Sequence, residues 1–144
     1  MVAGLTLTRD LFVPRDLIFQ AWTEPDHLSG WYAPAGALAR EVSVDARPGG
    51  EYLLAWTDGA GVRYVQRGVF HVVDRPAGFR CTQWLEAGFP EHYATELAVS
   101  MAEEGGSSRI RIRQEGFPSA ATREAQRALW EALLDQLEAY FSAI

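Results

Sequence analysis

RIRIRQEGFPSAATREAQRALWEALLDQLEAYFSAI, residues 109–144, changes period in its middle, and that change decides the fold. Up to Gln114 the chain alternates, with Arg109, Arg111 and Arg113 on one parity and Ile110, Ile112 and Gln114 on the other. This is the two-residue repeat of a strand that buries its isoleucines and turns its arginines to water. Gly116-Phe117-Pro118 breaks the repeat. Ser119 or Thr122 then caps a helix running to about residue 142, with Leu129, Leu133, Leu137, Tyr140, Phe141 and Ile144 as its apolar stripe. Such a helix is on the order of 35 Å long, enough to cross a small sheet from corner to corner. Its stripe needs a partner, and the only large apolar surface the chain offers is one face of a sheet.

Working back from the helix, residues 39–116 hold six strand candidates, at 40–46, 51–57, 62–73, 79–85, 93–102 and 109–115. The clearest breaks are Arg47-Pro48-Gly49-Gly50, Asp58-Gly59-Ala60-Gly61, Asp74-Arg75-Pro76-Ala77-Gly78 and the run 103–108. Connections this short join antiparallel neighbours. Ahead of them, residues 2–13 alternate as a first strand that Pro14 ends. Leu17, Ile18, Ala21 and Trp22 then share one helical face, and Thr23-Glu24-Pro25-Asp26 starts a second short helix that ends near Trp31. The expected class is α+β, with a curved antiparallel sheet of about seven strands around a long C-terminal helix and two short helices after the first strand. Residues 1–144 are expected to form a single domain.

Thirteen Lys and Arg against nineteen Asp and Glu leave a net charge of -6, so a nucleic-acid partner or an attraction to anionic lipid is not expected. Cys81 is the single cysteine; it forms no intrachain disulfide, and nothing points to an oxidising compartment. Residues 1–10 lack the apolar block of a leader. No segment reaches the roughly 20 apolar residues that cross a bilayer. A cytoplasmic location without membrane insertion follows as the expectation.

His27, His71 and His92 are scattered without a pair at ligand spacing, so neither a metal nor another cofactor is expected. With no phosphate cradle and no nucleophile elbow, no catalytic residue is assigned. The loop 85–92, carrying Glu86, Glu91 and His92, is the one place for acid or base chemistry. The arginine ladder is expected to pair with Glu96 across its hairpin.

Strand parity puts five sets on the inner face: Tyr52, Leu54 and Trp56; Val62, Tyr64, Gln66, Gly68, Phe70 and Val72; Phe79, Cys81 and Gln83; Thr95, Leu97, Val99 and Met101; and Ile110, Ile112 and Gln114. Seven twisted strands present more inner surface than one helix covers. Side-chain amides among aromatics are the composition of a small-molecule cavity, whose water or ligand satisfies them. The expected ligand-binding residues are Trp31, Trp56, Tyr64, Phe70, Leu97, Trp130 and Leu134 as walls, with Gln66, Gln83 and Gln114 as polar contacts.

Four stretches, taken in order, resemble the activator of heat-shock protein 90 ATPase homologue family, within the SRPBCC or START-like superfamily. They are AWTEPDHLSGWYAP at 21–34, GVFHVVDRPAGFRCTQW at 68–84, RQEGFPS at 113–119 and ALWEALLDQLEAYF at 128–141. The resemblance spans nearly the whole chain. It implies a helix-grip fold with a cavity between the sheet and the long helix, in which Trp31 and Trp130 match aromatic positions typical of the family. Three positions depart from the pattern. Tyr32 stands where a second tryptophan is often found, Leu129 where a glycine often precedes the helical tryptophan, and Val72 where relatives commonly carry a strand glutamate. The missing acid weighs against catalysis. The expected function is binding of a small hydrophobic or aromatic molecule, the alternatives being a cyclase or hydrolase using the same cavity and a chaperone-associated module. A homodimer is compatible with such a fold, although the pattern defines no interface.

Overall fold

Alternation becomes a sheet wherever the short breaks allow it. The computed structural model describes residues 2–143. Its strands are β1 (Leu5–Leu11), β2 (Ala39–Val44), β3 (Glu51–Thr57), β4 (Arg63–Asp74), β5 (Gly78–Leu85), β6 (Tyr93–Glu104) and β7 (Ser107–Glu115). They form one sheet in the order β1-β7-β6-β5-β4-β3-β2, with every neighbouring pair antiparallel. The chain therefore meanders from β2 to β7 and returns to pair β7 with β1. Helices α1 (Arg15–Thr23) and α2 (Pro25–Leu28) carry it from one edge of the sheet to the other.

Helix α3 (Ala120–Ser142) starts on a reciprocal cap. The Thr122 N–H donates to Ser119 Oγ at 3.1 Å, and the Ser119 N–H donates to Thr122 Oγ1 at 3.2 Å, so both expected hydroxyls take part. The face it buries is Gln126, Trp130, Leu133, Leu134 and Leu137. Leu129, Tyr140 and Phe141 flank that face half-buried, so the stripe is centred one residue further on than its leucines suggest. Ile144, assigned to the same stripe, lies outside the described residues. Each fully buried Leu or Trp here stabilises the helix–sheet contact by about 2 kcal/mol. Polar ends pin the helix too: Arg9 of β1 donates to Asp135 at 3.0 Å and to Glu131 at 3.1 Å, and His27 Nδ1 lies 2.7 Å from the Tyr140 hydroxyl.

The inner parity holds along β3, β5, β6 and β7 and fails at both ends of β4. Val62 precedes the strand, in the turn, and Val72 is displaced by a bulge between Phe70 and Val72. Phe70 still faces Cys81, but beyond His71 the pairing is Val72 with Arg80 and Val73 with Phe79. One extra residue reverses the face. Val73 packs on the core, while Val62 and Val72, expected inside, are 40% and 38% exposed. The arginine ladder also finds a different partner. Arg109 pairs with Asp10 of β1 at 2.8 Å, whereas Glu96 lies opposite Glu115 and accepts from the Thr82 hydroxyl.

Candidate ligand-binding site

The amides of Gln66, Gln83 and Gln114 are buried on three different strands and bonded to their neighbours. Tyr32 donates to Gln66 Oε1 at 2.7 Å; Gln83 Nε2 donates to the Tyr52 hydroxyl at 2.9 Å; Gln114 Nε2 donates to Thr95 Oγ1 at 2.9 Å. Trp130 Nε1 on α3 donates to Gln114 Oε1 at 2.8 Å, which ties the helix to the sheet by a directed bond as well as by packing. Longer contacts of 3.5 Å join Gln83 to both other glutamines. Among the described residues the one buried side-chain polar atom without a partner is Arg123 Nε, away from this seam. The amides thus find their close partners in Tyr32, Tyr52, Thr95 and Trp130, where the sequence led us to expect water or a ligand.

The space left inside is correspondingly small. A void of about 20 Å³, lined by Tyr32, Tyr52, Phe70, Gln83, Leu97 and Trp130 among others, has room for about one water molecule. A second, open pocket of about 380 Å³ lies at one end of the sheet. Trp56 and Tyr64 stack there with ring centroids 5.4 Å apart and planes 15° apart, and Phe89 stands edge-on to both. Pro34, Ala35 and Ala37 close one side, and Ala125, Gln126 and Leu129 of α3 another. Tyr32 separates the two spaces, meeting Trp56 and Trp130 edge-on at 6.1 and 6.4 Å.

The ten expected residues fall into three places. Trp56 and Tyr64 line the open pocket; Phe70, Gln83, Leu97 and Trp130 line the small void. Gln66, Gln114, Trp31 and Leu134 are packed in the interior, and Trp31 Nε1 donates to the Ala21 carbonyl at 2.8 Å. Asp58, Phe89, Pro90 and Gln126 were missed. Only Phe89-Pro90, an apolar pair within the loop 85–92, carried a signal. The acid and histidine of that loop do not join the pocket: Glu86 turns outward to Arg67 at 3.2 Å, and Glu91 and His92 are exposed. Among the described residues no three His, Cys, Asp or Glu side chains gather as a metal site. None of the described helices is long and apolar enough to cross a membrane.

The void has a protonation consequence. Burial pushes the Cys81 thiol up to about 12, against the pull of the neighbouring Tyr52 hydroxyl. Burial likewise raises the Tyr32 and Tyr52 phenols well above their ordinary value. At these three groups the folded chain keeps protons that the unfolded chain releases, the thiol at roughly pH 8.5 and the phenols near 10. Their contribution to stability is complete below the unfolded values, begins to fall as pH passes them, and is lost as pH rises through the higher folded values. Urea midpoints should stay level from pH 7 to about 8.5 and fall steeply by pH 11, with Cys81 inert to iodoacetamide on the level portion. A midpoint independent of pH up to 11 contradicts this.

A curved seven-stranded antiparallel sheet gripping a long C-terminal helix, with an aromatic pocket at one end, is a helix-grip domain. More narrowly, the chain belongs to the family described as Activator of Hsp90 ATPase homolog 1-like protein, whose family model matches residues 13–142. Solved structures with the same fold include a protein from Chromobacterium violaceum, 27% identical, with 94% of each chain covered and a TM-score of 0.82. The AHSA1 protein of Silicibacter pomeroyi is 20% identical over 98% of this chain and 99% of that chain, with a TM-score of 0.84. A protein from Mycobacterium smegmatis is 20% identical over 94% of this chain and 88% of that chain, with a TM-score of 0.78. The last two are likenesses of fold alone. Comparison with curated protein sequences finds no match.

Proposed function

We propose that this chain binds a small apolar or aromatic molecule in the open pocket, with the ligand resting on the Trp56–Tyr64 stack. The carrying observation is that stack, set in a concave space of about 380 Å³, within the range of roughly 300–1,000 Å³ that small-molecule sites occupy. The interior residues of the expected set act behind it. Gln66 holds Tyr32 by its hydroxyl and Gln114 holds Trp130 by its indole N–H, so the wall that backs Trp56 is rigid. Rigid aromatic walls lose little conformational entropy when a ligand arrives. No catalytic residue is proposed. Residues 1–144 act in this reading as one domain in the cytoplasm, in keeping with a lone free thiol.

Titration with the neutral fluorophore 1-aminoanthracene tests the proposal. Saturable binding is expected, and Trp56→Ala should weaken it by about tenfold, the loss of one buried aromatic anchor. Trp84, 39% exposed on the outer face of β5, is the control, and Trp84→Ala should leave the affinity unchanged. Absence of saturation, or equal effects of the two substitutions, would sink the reading.

A further inference from the structure

The pocket has a charge asymmetry that its aromatic walls conceal. Of the side chains lining it, Asp58 alone is charged, and no basic residue takes part. Of the cations nearby, Arg63 is engaged by Glu41 and Arg127 by Glu124, and Arg40, opposite Trp56 on the edge strand β2, stands outside the lining. Asp58 Oδ1 accepts the N–H groups of Ala60 and Val62 at 2.9 and 3.0 Å, and Oδ2 accepts the Tyr64 hydroxyl at 3.2 Å. A carboxylate has about four lone-pair sites, so Oδ2 keeps one open to a further donor. Those same bonds, led by that of Val62, hold the Asp58 carboxyl below the usual range, so it is ionised at neutral pH. The Tyr64 proton stays on, since burial and the adjacent Asp58 push the phenol up.

We infer that the pocket selects a cationic ligand, an apolar or aromatic body carrying an amine or quaternary ammonium group, over a neutral or anionic molecule of the same shape. The inference rests on the binding reading above. Trp56, Tyr64 and Phe89 line the pocket with aromatic rings, whose quadrupoles attract a cation, and Asp58 adds a full charge beside them. The net charge of -6 draws cations from solution and turns anions away.

Three naphthalene probes of matched body separate the two ideas: 2-naphthyltrimethylammonium, 2-methoxynaphthalene and 2-naphthalenesulfonate, each titrated against tryptophan fluorescence at low salt. The ammonium should bind about tenfold more tightly than the sulfonate, the neutral ether falling between, with the ratio shrinking as salt screens the charges. Asp58→Asn keeps an acceptor for the turn and should collapse the ratio to near one. Glu51→Gln removes the same net charge at the opposite end of β3 and should leave the ratio intact. If the ether binds in a Trp56-dependent way while the ratio is flat in the unaltered protein, or survives Asp58→Asn, the charge selection is overturned and the pocket stands. If none of the three probes binds, pocket and selection both fall.

Discussion

Gln114→Leu should lose about 4 kcal/mol of stability, a quarter or more of the roughly 5–15 kcal/mol that a domain has to lose. Leucine fills nearly the same volume, so packing changes little and the cost is polar. Gln114 bonds both α3 and the sheet: its Oε1 accepts from Trp130 Nε1 at 2.8 Å, and its Nε2 serves Thr95 Oγ1 and, at 3.5 Å, Gln83 Oε1. Thr95 keeps a partner in the Gln83 carbonyl. The indole N–H and Gln83 Oε1 do not. Two buried groups without partners, at roughly 1–3 kcal/mol each, give the figure. Removing both ends of the principal bond is cheaper, so Gln114→Leu with Trp130→Phe should be less destabilised than the sum of the two single changes. Urea unfolding of the four proteins measures the cycle. An additive result, or a single Gln114→Leu within about 1 kcal/mol of the parent, means the indole bond is not what fixes the helix.

That seam also marks how far the sequence can be read. Parity is a property of a strand by itself, so Gln66, Gln83 and Gln114 could be placed inside from alternation alone, and they are. Register is a property of two strands, and no repeat within β4 says that its Gln66 stands near Tyr32, which arrives from the 29–38 connection. The amides were therefore visible as inward polar groups, while their partners among Tyr32, Tyr52, Thr95 and Trp130 were not. The interior consequently appeared hollow from the sequence and is nearly filled.

The same limit explains the pocket. Trp56 and Tyr64 face each other across the β3–β4 pair, a relation their parity permits. Pro34, Asp58, Phe89 and Pro90 reach it from connections between elements, where periodicity carries no information about direction. His71 offered no glycine or proline to announce a bulge, so the reversal at Val72 followed only from pairing β4 with β5. On α3, Leu129, Leu133, Leu137 and Gln126, Trp130, Leu134 are adjacent i, i+4 rows; the buried face takes in the second row together with Leu133 and Leu137 and leaves Leu129 at its edge, with Trp130 reaching Gln114.

Gly68→Ala should cost about 3 kcal/mol and lower the melting temperature by roughly 10 °C, although alanine in a strand interior ordinarily stabilises relative to glycine. Gly68 sits on the inner face of β4, opposite Tyr52 of β3 and Gln83 of β5. The Tyr52 ring lies directly over it: a Cβ at Gly68 would fall within the atomic envelopes of Tyr52 Cε2, Cζ and Oη. The ring has little freedom to yield. Its hydroxyl takes the Gln83 amide at 2.9 Å and lies 3.6 Å from Cys81 Sγ, and its edge packs on Phe70 at a centroid distance of 5.4 Å. Moving it sacrifices those bonds and closes the void beside them. The sign of the effect then depends on Tyr52. In a Tyr52→Ala background the obstruction is gone and only the strand preference remains, so Gly68→Ala should become neutral or stabilising by a few tenths of a kcal/mol. The coupling between the two positions should be about 2–3 kcal/mol by urea unfolding of the four proteins. Equal costs of Gly68→Ala with and without the tyrosine would show that the glycine is required by the backbone, and that the ring does not depend on the space it leaves.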